Sequence, residues 1–254
     1  MKYYPELVSL GCFSLENLKS ITGSDEAAKA LSRAYRGKGY IQSVRKNLYV
    51  AISMETGQPV PNRYEIASHI SEDAVVSYHS AFEYYGFANQ VFYDVYITSQ
   101  SRFHDFQFDG ITYRRVSPKI VSHIQQGPKG VRVSSLERTV IESIEMFEKI
   151  GGLEELLRCL QLIPGLDESQ LLSCLEEYDN GFLYQKTGLI LSALAQSLQL
   201  SSSFFENCKM HLPTGKSYLY NRSKDFVFHK DWNIYAPADV LKLIAKGVTD
   251  YDAI

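Results

Sequence analysis

The sequence is poor in the features that announce chemistry. Its 254 residues include four cysteines, eight prolines and a single tryptophan. Cys12, Cys159, Cys174 and Cys208 stand far apart, with no C-x-x-C pair and no histidine at ligand spacing. That pattern argues for buried free thiols and against a zinc site or a disulfide framework. No metal and no cofactor is expected. The G-x-S-x-G, Walker A, G-x-G-x-x-G and H-E-x-x-H patterns are all missing. No acid stands two residues before a lysine, the spacing by which PD-(D/E)xK nucleases hold metal against a scissile phosphate. The six histidines are scattered, and His79 reads as a helix residue with a satisfied hydrogen bond. The chain is therefore expected not to be an enzyme. No long apolar run is present either. The stretch from Gly188 to Leu200 is too short, and too interrupted by Ser and Gln, to span a bilayer. The opening Met1-Lys2-Tyr3-Tyr4-Pro5-Glu6 has no apolar signal-peptide core. A soluble cytoplasmic protein, with no membrane partner, is the expectation.

What the chain does have is ordinary globular text, 45% hydrophobic and 22% charged, enough to bury a core in one large domain or two smaller ones. Its net charge of −3 is unevenly spread. Residues 1–53 carry eight basic and four acidic residues, a net of +4, while the remaining 201 residues carry 18 basic and 25 acidic, a net of −7. A basic head on an acidic body points to an anionic partner at one end.

Three short helical patterns fill the start of that head. The first spans residues 3–10, with Tyr4, Leu7 and Val8 on one side. Ser14 caps the second, whose apolar stripe is Leu15, Leu18 and Ile21. Ser24 caps the third, with Asp25 and Glu26 in the first turn where the helix dipole favours acids. Ala27, Leu31 and Ala34 are the expected inner face of this third helix. Lys29, Arg33 and Arg36 share their spacing about 200° around the axis. Two β-rich runs follow, Tyr40 to Val44 and Leu48 to Ile52, joined by Arg45-Lys46-Asn47. Two helices, a glycine turn, a basic helix and a basic-tipped hairpin make the layout of a winged helix-turn-helix. The expected DNA-contacting residues are Lys29, Arg33, Arg36, Lys38, Arg45 and Lys46. The helix residues would reach base edges and phosphates in the major groove, the wing residues the backbone.

Met54 to Asn62, with two prolines and one glycine, reads as a linker. The expected division is thus a head of 1–53, a linker of 54–62 and an α/β body of 63–254. In the body, helices are expected over Arg63–Ile70, after Val75-Val76-Ser77 and ending near Tyr85, and from Ser134 or Ser135 to Ile150. Further helices are expected over Leu153–Leu162, Glu168–Tyr178 and Phe182–Leu200. Strands are expected at Val91–Thr98, on either side of Asp109-Gly110, and at Gly130–Ser134. The tail, with Tyr218-Leu219-Tyr220, Phe226-Val227-Phe228 and Asn233-Ile234-Tyr235, is strand-like, and Pro237 opens a last helix.

Several segments together carry a resemblance. They are Arg63-Tyr64-Glu65-Ile66-Ala67-Ser68, then Ser80-Ala81-Phe82 followed by Gly86-Phe87, the strand Val95–Thr98, and Ser135-Leu136-Glu137-Arg138-Thr139-Val140-Ile141-Glu142. In order and spacing they resemble the AbiEi family, the antitoxins of bacterial AbiE (type IV) toxin–antitoxin systems. Phe82 and Phe87 stand where leucines are usual, and Glu142 where Asp is usual. The resemblance covers roughly residues 1–200. It implies an α+β protein: a winged-helix head, a mixed α/β antitoxin domain and a helical C-terminal part. It also implies a repressor that binds inverted-repeat duplex DNA of its own operon and counteracts a nucleotidyltransferase-like toxin. Inverted repeats require two heads, from a homodimer or from two monomers side by side. Within Glu137-Arg138-Thr139 the residues themselves predict a helix start, with Arg138 paired to an acid. The alternative reading of the chain is a winged-helix adaptor that binds protein and not specific DNA.

Overall fold

Polar caps and glycines shape the first fifty residues. The computed structural model describes residues 2–243. Helix α1 (Tyr4–Leu10) takes Pro5 in its first turn and ends at Gly11, whose φ of 66° suits glycine. After β1 (Cys12–Phe13), Ser14 caps α2 (Leu15–Thr22) through a reciprocal box: its side chain accepts from Asn17 N, and the Asn17 side chain accepts from Ser14 N. Ser24 caps α3 (Asp25–Gly37) by accepting from Ala27 N. Strands β2 (Ile41–Arg45) and β3 (Leu48–Ala51) form a hairpin closed by Lys46-Asn47, with Asn47 at φ 64° and a bulge between Ser43 and Arg45. β1 joins the other edge of β3, giving an antiparallel sheet in the order β1-β3-β2. Tyr4, Leu7, Phe13, Leu18, Ala28, Tyr35, Ile41 and Tyr49 form the core between the helices and this sheet.

The buried face of α3 lies one residue further along than expected. Ala28, Ser32 and Tyr35 are buried, Ala27 and Leu31 are half-buried, and Ala34 is exposed. Tyr35 explains the shift: its ring packs edge-on against Tyr40 and its hydroxyl receives Tyr3 N, so the helix turns toward that anchor.

The segment expected as a linker is a hydrogen-bonded turn. Gly57 N donates to Ser53 O, Ser53 N to Gln58 O and Val60 N to Ala51 O, which folds the chain back along β3. Compactness also divides the chain differently from head, linker and body. One unit comprises Met1–Val76, Tyr93–Pro118 and Gln125–Val133; the other comprises Ser77–Phe92, Lys119–Ile124 and Ser134–Ile254.

The rest of the first unit is built on Asn62, which caps α4 (Arg63–Ser68), and on a mixed sheet. Its strands are β4 (Val75–Val76), β5 (Asp94–Thr98), β6 (Phe106–Phe108), β7 (Ile111–Val116), β8 (Ile124–Gln126) and β9 (Arg132–Ser134), in the order β6-β7-β5-β4-β9-β8. Asp109 and Gly110, both at positive φ, make the tight β6–β7 turn that their sequence predicts. Two polar fasteners hold the sheet ends. Arg132 donates to the carbonyls of Ala74, Ser71 and Ser68. Asp73 accepts from Ser99 Oγ, Gln100 N and Ser101 N.

The second unit is mainly helical. α5 (His79–Tyr85) ends on Gly86 in the left-handed conformation. α6 (Leu136–Glu145), capped by Ser135, packs against α5, α7 (Leu153–Leu162), α8 (Glu168–Tyr178) and α9 (Gly181–Ser192). α10 (Ser202–Met210), which the sequence reading does not anticipate, lies on α9. A small sheet ordered β10-β12-β11 closes the unit, from β10 (Ser217–Tyr218), β11 (Val227–His229) and β12 (Ile234–Ala236). α9 is shorter than the expected Phe182–Leu200 because the chain breaks into turns after Ser192. Trp232, the only tryptophan, lies so close to α9 that a Cβ on Gly188 would stand 2.0 Å from the ring. Only glycine fits there. The helix expected from Pro237 falls largely outside the described residues. The architecture is α+β, and among the described residues no helix is long and apolar enough to cross a membrane.

Candidate nucleic-acid interface

α3 places most of the expected site residues. With its buried face on Ala28, Ser32 and Tyr35, the cations at the next positions, Lys29, Arg33 and Arg36, sit about 100° from it rather than opposite it. All three are exposed, as is Lys38 at the C-terminal cap. Lys29, Ser32, Arg33 and Arg36 line one wall of a groove of about 260 Å³, with Leu15 and Tyr49 on the other. The acids of α3 are confined to its first turn, and Asp25 is held by Lys19 at 3.2 Å. Among the described residues none of the four cations has a carboxylate partner.

The two hairpin residues part company. Lys46 is exposed in the two-residue turn, and Asn47 Oδ1 ties that turn to α2 by accepting from Leu15 N at 3.0 Å. Arg45 is half-buried, its guanidinium over the rings of Phe103 and Phe106 at 5.2 and 5.7 Å. This corrects the expectation of Arg45 as a free wing-tip cation: its charged plane is stacked on two aromatic faces. The structure therefore gathers Lys29, Arg33, Arg36 and Lys38 on one helix, adds Lys46 at the hairpin tip and withdraws Arg45 into packing.

The Glu137-Arg138-Thr139 segment is structural. Glu137 lies in the first turn of α6. Arg138 is buried, donating to Glu142 Oε1 at 2.7 Å and to Ser122 O at 2.6 Å. Thr139 Oγ1 shares hydrogen bonds with Ser134 and Ser135. Burial raises the Glu142 carboxyl above the ordinary range despite the neighbouring guanidinium.

A second polar cluster, assembled from two distant helices, is buried in the helical unit. His79 and Glu83 stand one turn apart on α5, and Glu155 and Cys159 one turn apart on α7. His79 Nε2 lies 3.3 Å from Glu155 Oε1, and Cys159 Sγ lies 3.6 Å from the same oxygen. The pairs are 76 residues apart in the chain, so the only sequence signal was the i, i+4 spacing within each helix.

No protein-family model and no curated protein sequence matches this chain. Among solved structures, the fold is similar to the crystal structure of the Rv2827c protein from Mycobacterium tuberculosis, at 13% identity and a TM-score of 0.61, over 92% of this chain and 89% of that one.

Proposed function

We propose that this protein is a DNA-binding transcriptional regulator of the antitoxin type, acting by binding and not by catalysis. The observation that carries the reading is the exposed cationic face of α3, where Lys29, Arg33, Arg36 and Lys38 stand together without carboxylate partners among the described residues. Its setting supports this. α2 packs on α3 across the Gly23 turn, and the β2–β3 hairpin follows, which is the order of a winged helix with α3 as the reading helix. A helix presenting cations fits the major groove, where Arg can grip guanine bidentately and Lys meets phosphates. The antitoxin part of the reading rests on the AbiEi-like segments. On that reading the operator is an inverted repeat and the functional partner is a nucleotidyltransferase-like toxin.

The test is duplex binding by the full chain, using DNA from upstream of its own coding sequence against a random duplex. Selective, salt-sensitive retention of the upstream fragment is the expected result. Equal, negligible retention of both would replace it with the adaptor reading. Rescue of growth on co-expression with a neighbouring nucleotidyltransferase tests the second half separately.

A further inference from the structure

The geometry points to a buried zinc-class metal site in the helical unit, formed by His79 of α5 with Glu155 and Cys159 of α7. The three candidate ligand atoms all lie within 4.8 Å of one another, and all three residues are buried. Tetrahedral zinc, with nitrogen and oxygen at about 2.0 Å and sulfur at about 2.3 Å, spaces its ligand atoms roughly 3.3–3.7 Å apart. The His79–Glu155 and Glu155–Cys159 separations of 3.3 and 3.6 Å already match that spacing. A nitrogen, an oxygen and a sulfur donor together suit a borderline-soft divalent ion over magnesium or calcium, which take oxygen.

The surroundings resemble a ligand's outer shell. Glu83 Oε1 lies 3.4 Å from His79 Nδ1, the far side of the ring from Glu155, and is itself fixed by Phe92 N at 2.7 Å. That places a carboxylate behind the imidazole, the arrangement that orients metal-binding histidines. Phe92 stacks on the ring at 3.8 Å and keeps it in plane. Glu155 receives Asn89 N and Gln90 N, each at 3.2 Å, so backbone amides hold the carboxylate in place. Its second oxygen can complete the coordination shell at the cost of a 3.4 Å contact with Asn89 Nδ2.

Without an ion the candidate ligand atoms meet one another: Glu155 Oε1 faces His79 Nε2, Cys159 Sγ and the amides of Asn89 and Gln90. His79 Nδ1 is buried without a hydrogen bond, 3.4 Å from Glu83 Oε1, and an ion on Nε2 would fix the tautomer that carries its proton on Nδ1, facing that carboxylate. A bound cation would displace the Cys159 thiol proton to solvent and ligate the thiolate. A site closed on all sides by protein is structural, and it would clasp α5 to α7.

The experiment uses the full chain expressed with added zinc and purified without chelator. About one equivalent of zinc should be retained, as for a folded structural site. After removal of zinc, cobalt(II) should give a thiolate charge-transfer band in the parent and in Cys174→Ser, and none in Cys159→Ser. Chelator should lower the melting temperature of the parent and leave that of Cys159→Ser unmoved. X-ray absorption at the zinc edge of the parent, which needs no variant, should show one sulfur at about 2.3 Å among lighter ligands. Metal-free parent protein without a cobalt band, a band that persists in Cys159→Ser, or a zinc shell with no sulfur overturns the proposal.

Discussion

At the scale of single residues, the cations of the candidate interface separate into readers and anchors. On the proposed DNA-binding reading Arg33 is the base reader, so Arg33→Ala should weaken binding to the operator by about 1–3 kcal/mol and to random DNA far less. Lys46→Ala should weaken both alike and flatten the salt slope by about one unit. Arg45→Ala should leave the slope unchanged and instead lower stability by about 0.5–1 kcal/mol through loss of the Phe103 and Phe106 stack. Fluorescence anisotropy at two salt concentrations, with thermal melts alongside, checks all three. Packing divides α3 as well. Tyr35→Ala removes a buried ring and should cost about 3–5 kcal/mol, whereas half-buried Leu31→Ala should cost less than about 2 kcal/mol. Equal losses in denaturant melts would restore the Ala27–Leu31–Ala34 face. The basic stripe was legible because charge is read directly from the residues. The phase of the helix was not, because Ser32 and Tyr35 carry polar atoms and look like surface until their partners are known.

At the scale of elements, legibility followed local chemistry. α7 and α8 run as expected because Pro164-Gly165 and the Asp167 cap mark their ends within the chain itself. Asp109-Gly110 fixed its hairpin in the same way. α10 was hidden because the SSSFF text after Leu200 has no clear apolar period, and its cap, Ser201, is one serine in a run. Fasteners between distant segments were equally hidden. Asp73 is one of them, and it makes a pH prediction. Burial alone would raise this carboxyl, but hydrogen bonds from Ser101, Ser99 and Ser71 outweigh it and hold the group well below the ordinary carboxylate range. The folded value therefore lies below the unfolded one. The stabilisation is present above the unfolded value near 3.8 and is lost as pH falls through the folded value. Asp73→Asn should be less stable than the parent at pH 7, with the gap closing in strong acid. A gap independent of pH in chemical denaturation would show that the carboxylate charge is not involved.

At the scale of the whole molecule, the charge is divided, +4 in residues 1–53 against −7 in the rest, and the proposed DNA binding should reflect it. On the proposed DNA-binding reading, approach through the basic segment would be favoured and approach through acidic segments repelled. Four phosphate contacts from the proposed face would make the logarithm of affinity fall against the logarithm of salt with a slope of about −4. An inverted repeat should bind two chains, and a titration at concentrations above the dissociation constant measures that ratio. A slope near zero would remove the cationic face from the account. The charge division was plain in the sequence, whereas the compact units were not, because each interleaves segments that are distant in the chain.

The close seat of Trp232 on Gly188 has an optical consequence. With one tryptophan in the chain, buried in the helical unit, the indole emission reports that unit alone. The first unit is served by tyrosines such as Tyr4, Tyr35 and Tyr49 and has no indole. Tryptophan emission thus follows the helical unit, while far-ultraviolet circular dichroism follows the helices of both units. Their coincidence or divergence under denaturant would reveal whether the protein melts as a single cooperative body or in two stages.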